Sequence, residues 1–439
     1  MMSKILSKIG LGLETYSQAY LAVRRQYEPS KITMVQDLKL QRLIHYSFHH
    51  IKYYRELFER KGIRPEQIKT AGDLVKIPLL TKEELRSRFW DFLPAELPGC
   101  RISRTSGSTG IPVCILSDRS SRCFNSAAVI RYRNALGIPI AGRSILSLLK
   151  TENEPARNPH WTFLQGIHKT YYINPYIDSG HNKEYADKIL LKLKKPALMG
   201  ITPAVKALAY KIKDGFFPPF TPSVILTTGE QMSFEVRDMI ESTLGAKVTD
   251  IYACNEAGDV AWQCSQATGY HINADNCIVE IVKDDKPAAE GETGEVVITN
   301  LNRFAMPIIR YKNGDLARLT NEPCRCGCRL PMIAEIAGRT GEDIFLPHGK
   351  KMPWNRLKSL MNHPSIRQFQ IIQNDDGNLA VKYVCENQTD TKRLEDLLLY
   401  RYRNLLGDLP SIEIKEVKTI AAGPGGKSKL VISNYKPEP

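Results

Sequence analysis

Several features that define whole classes of protein are missing from this chain of 439 residues. No apolar run approaches the roughly 18 residues that a membrane-spanning helix needs, and the first residues lack the apolar block and cleavage site of a secretory signal peptide. Internal repeats and low-complexity stretches are also missing. We therefore expect an ordered globular protein that works in the cytoplasm.

The chain also lacks a basic arm and an aromatic RNA-binding signature, although its net charge is +14, from 61 Lys and Arg against 47 Asp and Glu. The basic residues are scattered, so no nucleic-acid partner is expected. The charge favours an anionic partner such as a nucleotide, coenzyme A, an acidic saccharide or a membrane surface, without choosing among them. The ten cysteines are expected to be reduced, as core residues or metal ligands.

The order of apolar and turn residues predicts an α/β protein with a large N-terminal domain, 1–338, and a small α+β domain, 339–439. Residues 1–90 have mainly helical spacing, whereas short β-rich runs alternate with helices from about 103 to 320, which favours a largely parallel sheet. The strand candidates are 143–149, 223–228, 247–252, 277–282 and 294–299. Glycine and charged turns around the last two indicate an antiparallel addition.

The first helix has apolar residues near helical spacing, at Ile5, Leu6, Ile9 and Leu13. Two interpretations stay open for this face. It packs against the main domain, or it associates peripherally with a membrane surface.

The sharpest local motif is a loop of glycines and hydroxyl residues after a short β-like run, Arg104-Thr105-Ser106-Gly107-Ser108-Thr109-Gly110-Ile111-Pro112. Glycine lets the backbone approach a polyphosphate closely, while hydroxyl and N–H groups donate hydrogen bonds to its oxygens. It is not a Walker A loop, because no Gly-Lys-Ser/Thr follows. Taken alone, the loop fits ATP phosphates and a flexible surface turn equally well.

With that loop, the chain resembles the adenylate-forming superfamily, and within it the phenylacetate–CoA ligases and their capsule-polysaccharide relatives. The segments 53–58 and 77–85 are similar to the helical N-terminal part of that branch, and the resemblance runs from about residue 45 to the end. It implies a large α/β domain and a mobile C-terminal lid. It also implies ATP-dependent activation of a carboxylic acid to an acyl-adenylate, with Mg²⁺ as cofactor.

The resemblance implies a set of nucleotide-binding residues: Thr105, Ser106, Gly107, Ser108, Thr109, Gly110, Thr228, Gly229, Glu230, Tyr252, Asp315 and Arg339. In the segment Tyr252-Ala253-Cys254-Asn255-Glu256, the ring stacks near the adenine and the glutamate holds Mg²⁺, which takes oxygen ligands. Asp315 in the Tyr-x-x-Gly-Asp signature accepts hydrogen bonds from the ribose hydroxyls. Alone, Asn313-Gly314-Asp315 is typical of a turn and Glu256 of a solvated surface residue.

Two further catalytic positions follow from the resemblance. Arg339 after Gly338 meets ribose or phosphate at the hinge, where either Glu342 or Asp343 is the pivot. The glycine-flanked Lys427 resembles the catalytic lysine of the small domain, with Lys429 as the competitor. A lysine bridging the carboxylate and the α-phosphate would neutralise charge as the two anions approach.

A separate set of sulfur and imidazole residues, Cys264, His271, Cys324 and Cys326, has the donor types of a tetrahedral Zn²⁺ site. Relatives in the family include proteins with a similar arrangement. The alternative is unmetallated thiols. Cys328 stays open as a substitute ligand.

The second substrate stays open between two hypotheses: the thiol of CoA, or an amine in surface-polysaccharide biosynthesis. A third hypothesis, nucleotide binding without catalysis, is disfavoured because Glu256 and Lys427 are both present. The segment 158–166 either lines the acyl pocket or packs ordinarily. The acid itself and the oligomeric state are not predicted.

Overall fold

A computed structural model gives the fold, with placement described for every residue outside a set of short segments. Those segments are 1, 98, 105–112, 140, 141, 143, 150–159, 163–167, 178, 179, 231, 233, 341–343, 347–350, 353–355, 358, 359, 362, 364, 386–389, 408–410, 421–429 and 436–439. The chain divides into two compact units. The first comprises Met1–Met232 with Val236–Ile336, and the second comprises Ala337–Pro439 with Ser233–Glu235.

The first unit begins with helices, as the spacing of its first ninety residues predicts. They are α1 (Met2–Arg25), α2 (Pro29–His50), α3 (Lys52–Lys61) and α4 (Lys82–Ser87). Thr81 begins α4 with a capping box, in which its hydroxyl accepts the N–H of Glu84 and the glutamate carboxylate accepts the N–H of Thr81. Helices α2, α3 and α4 pack their apolar faces around Leu40, Tyr54 and Phe58 in one buried cluster.

The rest of the first unit alternates strands and helices. The strands are β1 (Arg101–Arg104), β2 (Cys114–Ser117), β3 (Ile145–Leu148), β4 (His160–Thr162), β5 (His168–Ile173), β6 (Ala197–Ile201), β7 (Val224–Thr228), β8 (Val248–Cys254), β9 (Gly258–Trp262), β10 (Tyr270–Ile272), β11 (Cys277–Lys283), β12 (Lys286–Pro287), β13 (Gly294–Asn300), β14 (Tyr311–Thr320) and β15 (Met332–Arg339). The helices are α5 (Arg119–Ala135), α6 (His181–Lys192), α7 (Thr202–Lys213) and α8 (Phe234–Leu244).

Within the described residues, thirteen of these strands form one sheet in the order β12-β11-β13-β14-β15-β10-β9-β8-β7-β6-β3-β5-β4. The neighbouring strands from β5 through β3, β6 and β7 to β8 are parallel. Beyond β8, the pairs β8–β9, β9–β10, β10–β15, β11–β13 and β13–β14 are antiparallel. Glu280 lies directly opposite Val297 in the pair β11–β13. The predicted α/β class, with a parallel region and a later antiparallel addition, is therefore confirmed.

Helix α1 packs one face on α5, where Ala19 is buried against Ala127 and Ile130. Thr15 at this contact also donates a hydrogen bond to the sulfur of Cys123. The opposite face exposes Leu13 and Tyr20, which are 68% and 62% accessible. None of the described helices is both long and apolar enough to cross a membrane. One face of α1 is therefore covered by α5. Peripheral membrane association through α1 stays a prediction.

The second unit has its own core. Its elements are β16 (Ile344–Phe345), β17 (Lys351–Met352), β18 (Ile366–Gln373), β19 (Leu379–Cys385), α9 (Thr391–Leu406), β20 (Ile412–Glu416) and β21 (Val431–Ser433). Four strands form a sheet in the order β20-β19-β18-β21. Leu394, Leu398 and Tyr402 on one face of α9 belong to the same buried cluster as Ile371 and Val381 of the sheet. The long stretch of this α+β unit starts at Ala337, two residues before the predicted domain start at residue 339.

Candidate active site

The residues predicted to bind the nucleotide begin at one edge of the sheet. Strands β6, β7 and β8 are parallel, so their carboxyl ends lie at the same edge, where α/β proteins bind ligands. Thr228 ends β7, and its hydroxyl donates a 2.8 Å hydrogen bond to the carbonyl of Ile251 on β8. Gly229 follows with φ of 94°, a conformation that favours glycine. The carbonyl of Glu230 accepts the hydroxyl of Thr202 at 3.1 Å.

Two buried residues, Tyr252 and Asp315, and the half-buried Asn313 form a hydrogen-bonded cluster, which we call the tyrosine–aspartate group. The phenol of Tyr252 donates to Oδ2 of Asp315 at 2.7 Å. The amide of Asn313 donates to both, at 2.7 Å to the phenol oxygen and 2.9 Å to the carboxylate. Burial, followed by the nearby Asp315 charge, raises the pKa of Tyr252 well above its usual value, so the phenol keeps its proton.

The local sequence explains how β14 presents this group. Asn313 accepts the N–H of Asp315 with its own side chain at 3.0 Å, and Gly314 between them has φ of 82°. A residue with a Cβ would be strained in that conformation. The pairing of β13 with β14 also shifts register between Glu295 and Val297. The segment that resembles a turn in sequence is thus an irregular stretch of strand.

Glu256 lies in the turn between β8 and β9 and is 8% accessible. The phenol of Tyr311 donates to its Oε1 at 3.1 Å. Among the described residues, no Lys, Arg or His nitrogen forms an ion pair with this carboxylate. A buried carboxylate without an ion pair suits a hard cation, whose charge would offset the cost of burial.

Two arginines that sequence reasoning missed hold this region together. Arg310, immediately before β14, has φ of 52° and makes a two-pronged contact with Glu280, at 2.9 and 3.2 Å. Arg303 is 4% accessible and donates to the carbonyls of Leu116 at 2.8 Å and of Asn255 at 3.2 Å. Neither belongs to a motif that composition or spacing would single out, because their partners lie far away in sequence.

Several predicted site residues lie outside the described residues. They are Thr105, Ser106, Gly107, Ser108, Thr109, Gly110, Glu342, Asp343, Lys427 and Lys429, with most of the segment 158–166. The loop 105–112 is bracketed by the antiparallel pair β1–β2, in which Arg104 lies opposite Cys114. Arg339 is the last residue of β15 and belongs to the second unit.

Four predicted metal ligands, Cys264, His271, Cys324 and Cys326, come together in the first unit, and we call them the cysteine–histidine group. All four ligand atoms lie within 4.8 Å of one another. His271 lies on β10, Cys264 follows β9, and the other two lie between β14 and β15. Strand β10 pairs with both β9 and β15, so the sheet brings together residues up to 62 positions apart.

The distances in this group fit a tetrahedral ion. The sulfurs of Cys264 and Cys324 are 3.6 Å apart, and the sulfur of Cys326 is 3.3 Å from Nε2 of His271. A tetrahedron with Zn–S bonds of about 2.3 Å has edges of about 3.8 Å. Backbone N–H groups of Gln266 and Cys328 donate to the sulfurs of Cys264 and Cys326, both at 3.4 Å, as charged thiolates require.

Burial shifts the pKa values of these ligands because it disfavours the charged form of each side chain. It raises the pKa of Cys326 to about 12 and lowers the pKa of His271 to about 4. A neutral imidazole is the form that binds a metal. Cys328 is also buried, but its sulfur does not belong to the four-atom group among the described residues.

Known proteins resemble this chain along most of its length. The family model of the CapK C-terminal domain matches residues 346–434. A phenylacetate-coenzyme A ligase of Thermus thermophilus is 26% identical over 360 residues, covering 80% of each chain. The resemblance to the phenylacetate–coenzyme A ligases and their capsule-biosynthesis relatives that the sequence motifs predict is therefore confirmed. Protein CapK of Staphylococcus aureus is 22% identical, over 99% of this chain and 97% of CapK.

Solved structures agree with the fold of this chain. A 2-hydroxyisobutyryl-CoA ligase, solved in the postadenylation state with an acyl-AMP, superposes with a TM-score of 0.75 at 18% identity. The match covers 93% of this chain and 90% of the ligase. The same ligase in an open conformation, with its acyl-AMP and CoA, gives a TM-score of 0.60. The chain therefore has the fold of this solved CoA ligase.

Proposed function

We propose that this protein activates a carboxylic acid with ATP as an acyl-adenylate and then transfers the acyl group to the thiol of coenzyme A. The observation that carries the proposal is the buried tyrosine–aspartate group beside Glu256, at the carboxyl edge of the parallel strands. Relatives named phenylacetate-coenzyme A ligase support the same chemistry.

The first half-reaction is proposed as follows. A carboxylate oxygen attacks the α-phosphorus of ATP, the bond to the bridging oxygen breaks, and diphosphate leaves with the electron pair. Asp315 accepts ribose hydroxyls, and the ring of Tyr252 packs near the adenine. Glu256 would hold Mg²⁺, whose charge would offset that of the phosphates.

Two residues of the second unit complete the proposal. Lys427 bridges the acid and the α-phosphate, so its charge counts most when the two anions are closest. Arg339 contacts ribose or phosphate near the hinge. A lysine on a mobile lid can be supplied for adenylation and withdrawn for transfer. In the second step the CoA sulfur attacks the acyl carbon, its proton passes to solvent, and AMP leaves.

We further propose that the cysteine–histidine group holds one structural Zn²⁺. A closed set of three sulfurs and one imidazole leaves no position for a substrate, which is typical of a structural site. Its role would be to fasten the loop between β14 and β15 to β9 and β10. The zinc takes no part in the chemistry.

An amide-forming ligase of surface-polysaccharide biosynthesis is the alternative. The observation that favours it is the extent of the likeness to CapK, which covers 99% of this chain, together with the CapK C-terminal family match. Both functions share the adenylation step, so they differ in the nucleophile alone. A cytoplasmic location suits either.

The deciding experiment has two stages. Acid-dependent ATP–diphosphate exchange is first measured over a panel of aryl and aliphatic acids. AMP release with the best acid is then compared in the presence of CoA, of amino sugars or amino acids, and of neither. A rate raised by CoA supports the thioester product, whereas a rate raised by amines and not by CoA replaces it with the amide. Absence of exchange with every acid contradicts adenylation.

A further inference from the structure

The first two helices carry an exposed row of large apolar side chains, which we call the apolar stripe. Six of the thirteen large apolar residues that are exposed in the described part of the chain lie between residues 13 and 38. They are Leu13, Tyr20, Leu21, Tyr27, Met34 and Leu38. Single apolar residues scattered over a surface are ordinary, whereas a concentration of this kind marks a surface of interaction. None of these residues has a part in the proposed acid activation.

On α1, the apolar stripe lies opposite the face that packs on α5. Leu13 and Tyr20 are seven residues apart, which places them on the same side of a helix with about 3.6 residues per turn. Ala19 and Ala22 are buried on the other side. The outer side of α1 is therefore one band that faces solvent.

Helix α2 divides its surface in the same way. Met34 and Leu38 are exposed and lie four residues apart, about one turn along the helix. Leu40, Leu43 and Ile44 are buried on the opposite side, in the cluster that α2 shares with α3 and α4. Both helices thus leave an apolar face uncovered.

Contacts with a single loop fix how the two helices are turned. Arg25 at the end of α1 forms an ion pair with Asp275 at 3.7 Å, and Lys39 of α2 donates to the carbonyl of the same residue at 2.6 Å. Gln36 of α2 donates to the carbonyl of Ala274 at 2.9 Å. Both helices therefore face this loop from the side opposite the apolar stripe, so the stripe is directed outward on both.

The charges near the apolar stripe are mainly positive. Residues 1–50 contain seven Lys and Arg and only three acids, whereas the whole chain has 61 against 47. Arg24 and Arg42 are exposed and form no ion pair with any described residue. Two of the acids, Glu14 and Glu28, are held in ion pairs, and partial burial raises the pKa of the third, Asp37. The surface therefore combines apolar side chains with uncompensated positive charge.

We propose that the apolar stripe docks this protein onto an anionic lipid bilayer. Helices α1 and α2 lie in the plane of the headgroups, with Met34 and the leucines at the boundary of the acyl chains. Tyr20 and Tyr27 suit this depth, because an apolar ring and a polar hydroxyl are both accommodated there. Arg24 and its basic neighbours are attracted by the negative potential of the leaflet.

A second copy of the chain fits this surface less well than a bilayer does. In a symmetric dimer the same surface of each subunit meets the other, so Arg24 and Arg42 would face the positive residues of the second copy. The three acids between residues 13 and 50 are only partly exposed, so they compensate this charge poorly. An anionic bilayer supplies both the opposite charge and an apolar layer beneath it.

The test is flotation of the full chain with vesicles, without ATP, acid or coenzyme A. One set of vesicles is phosphatidylcholine alone, and the other contains about one third phosphatidylglycerol. Leu38→Gln removes one apolar side chain from the stripe. Leu191→Gln is the matched control, because Leu191 is equally exposed but lies on α6. Arg24→Gln removes one exposed cation, and Arg393→Gln on α9 of the second unit is its control.

We expect the wild-type chain to float with the anionic vesicles and to bind the neutral ones at least about tenfold more weakly. Binding to the anionic vesicles should weaken about tenfold in Leu38→Gln and about fivefold in Arg24→Gln. Both controls should bind like the wild type. Release at about 1 M salt, where the Debye length is about 3 Å, supports the contribution of charge.

Three results would overturn the docking surface. The first is equal binding to the two kinds of vesicle, or binding to neither. The second is an equal loss in Leu38→Gln and Leu191→Gln. The third is a dimer in vesicle-free sedimentation that Leu38→Gln dissociates, because the stripe would then be a protein interface. Since vesicle binding needs no substrate, each result is independent of whether acid-dependent exchange is found.

Discussion

The tyrosine–aspartate group and the cysteine–histidine group of the first unit differ in how far their polar side chains satisfy one another. In the tyrosine–aspartate group, phenol, amide and carboxylate satisfy one another at 2.7 to 2.9 Å. In the cysteine–histidine group, three thiols and an imidazole face one another within 4.8 Å, and none of them is a strong partner for the next. The members of the first group satisfy one another, whereas the second group would gain its full stability from the proposed metal ion.

Because of this difference, we expect one group to matter for the activity of the protein and the other for its folding stability. A group that is already satisfied can bind and release a nucleotide repeatedly without unfolding around it. A group completed by a metal couples folding to metal binding, because the binding free energy becomes folding free energy. Changes in the two groups should therefore affect different measurements.

The largest effect is expected for Cys324→Ser, which should lower zinc content well below one ion per chain. The free energy of unfolding should fall by several kcal/mol, because three ligands hold the ion poorly. Elemental analysis of protein purified without a metal-affinity tag, followed by thermal unfolding, measures both. Cys328→Ala is the control and should keep its zinc. Wild-type protein without zinc would refute the site.

Next in size is Lys427→Ala, which should reduce acid-dependent exchange by about 10²–10³-fold while leaving thermal unfolding unchanged. The reason is that its charge acts when carboxylate and α-phosphate approach. Lys429→Ala serves as the matched control. Exchange within a few-fold of wild type for the first variant, with loss in the second, would transfer the role to Lys429.

Glu256→Gln should reduce exchange by about 100-fold and raise the Mg²⁺ concentration needed for half-maximal rate. The change removes the negative charge but keeps the size of the side chain. Tyr311→Phe, which removes only the phenol donor to this carboxylate, should cost a few-fold. An unaltered Mg²⁺ requirement in Glu256→Gln would contradict its role as metal ligand.

The smallest of the four effects is expected for Asp315→Asn, which should raise the KM for ATP about tenfold through lost ribose contacts. Zinc content should not change, because the cysteine–histidine group is separate. Steady-state exchange at varied ATP measures the shift, with Tyr252→Phe as a milder companion. A drop in zinc or a large fall in thermal stability would show that the two groups are coupled.

Part of this organisation is readable in the sequence for physical reasons. Cys264, His271, Cys324 and Cys326 stand out because few residues share their ligand chemistry, so even distant positions suggest one site. Strand spacing likewise indicated β11 and β13, in which Glu280 and Val297 are direct partners. Family resemblance supplied the nucleotide residues that spacing alone would leave as a turn or a surface glutamate.

Other features could not be predicted because they depend on pairing across the sheet. Asn313 bonds both members of the pair Tyr252 and Asp315, which are 63 positions apart, and nothing in its local sequence marks that role. Strands β5 and β6 were also not among the strands predicted from the sequence. Arg303 is an ordinary basic residue until the fold buries it beside Asn255.

The bridge between Leu80 and Tyr311 bears on how this protein can be divided. Leu80 donates its N–H to the carbonyl of Arg310 at 2.8 Å and accepts the N–H of Lys312 at 2.9 Å. Leu80, from the helical N-terminal part, thus pairs its backbone with β14, the strand that carries Asp315. A shortened chain that starts near Ser103 would lose that partner and expose the beginning of β14. A shortened chain should therefore begin ahead of Leu80, and gene fusions or chimeras should keep the pairing of Leu80 with β14 intact.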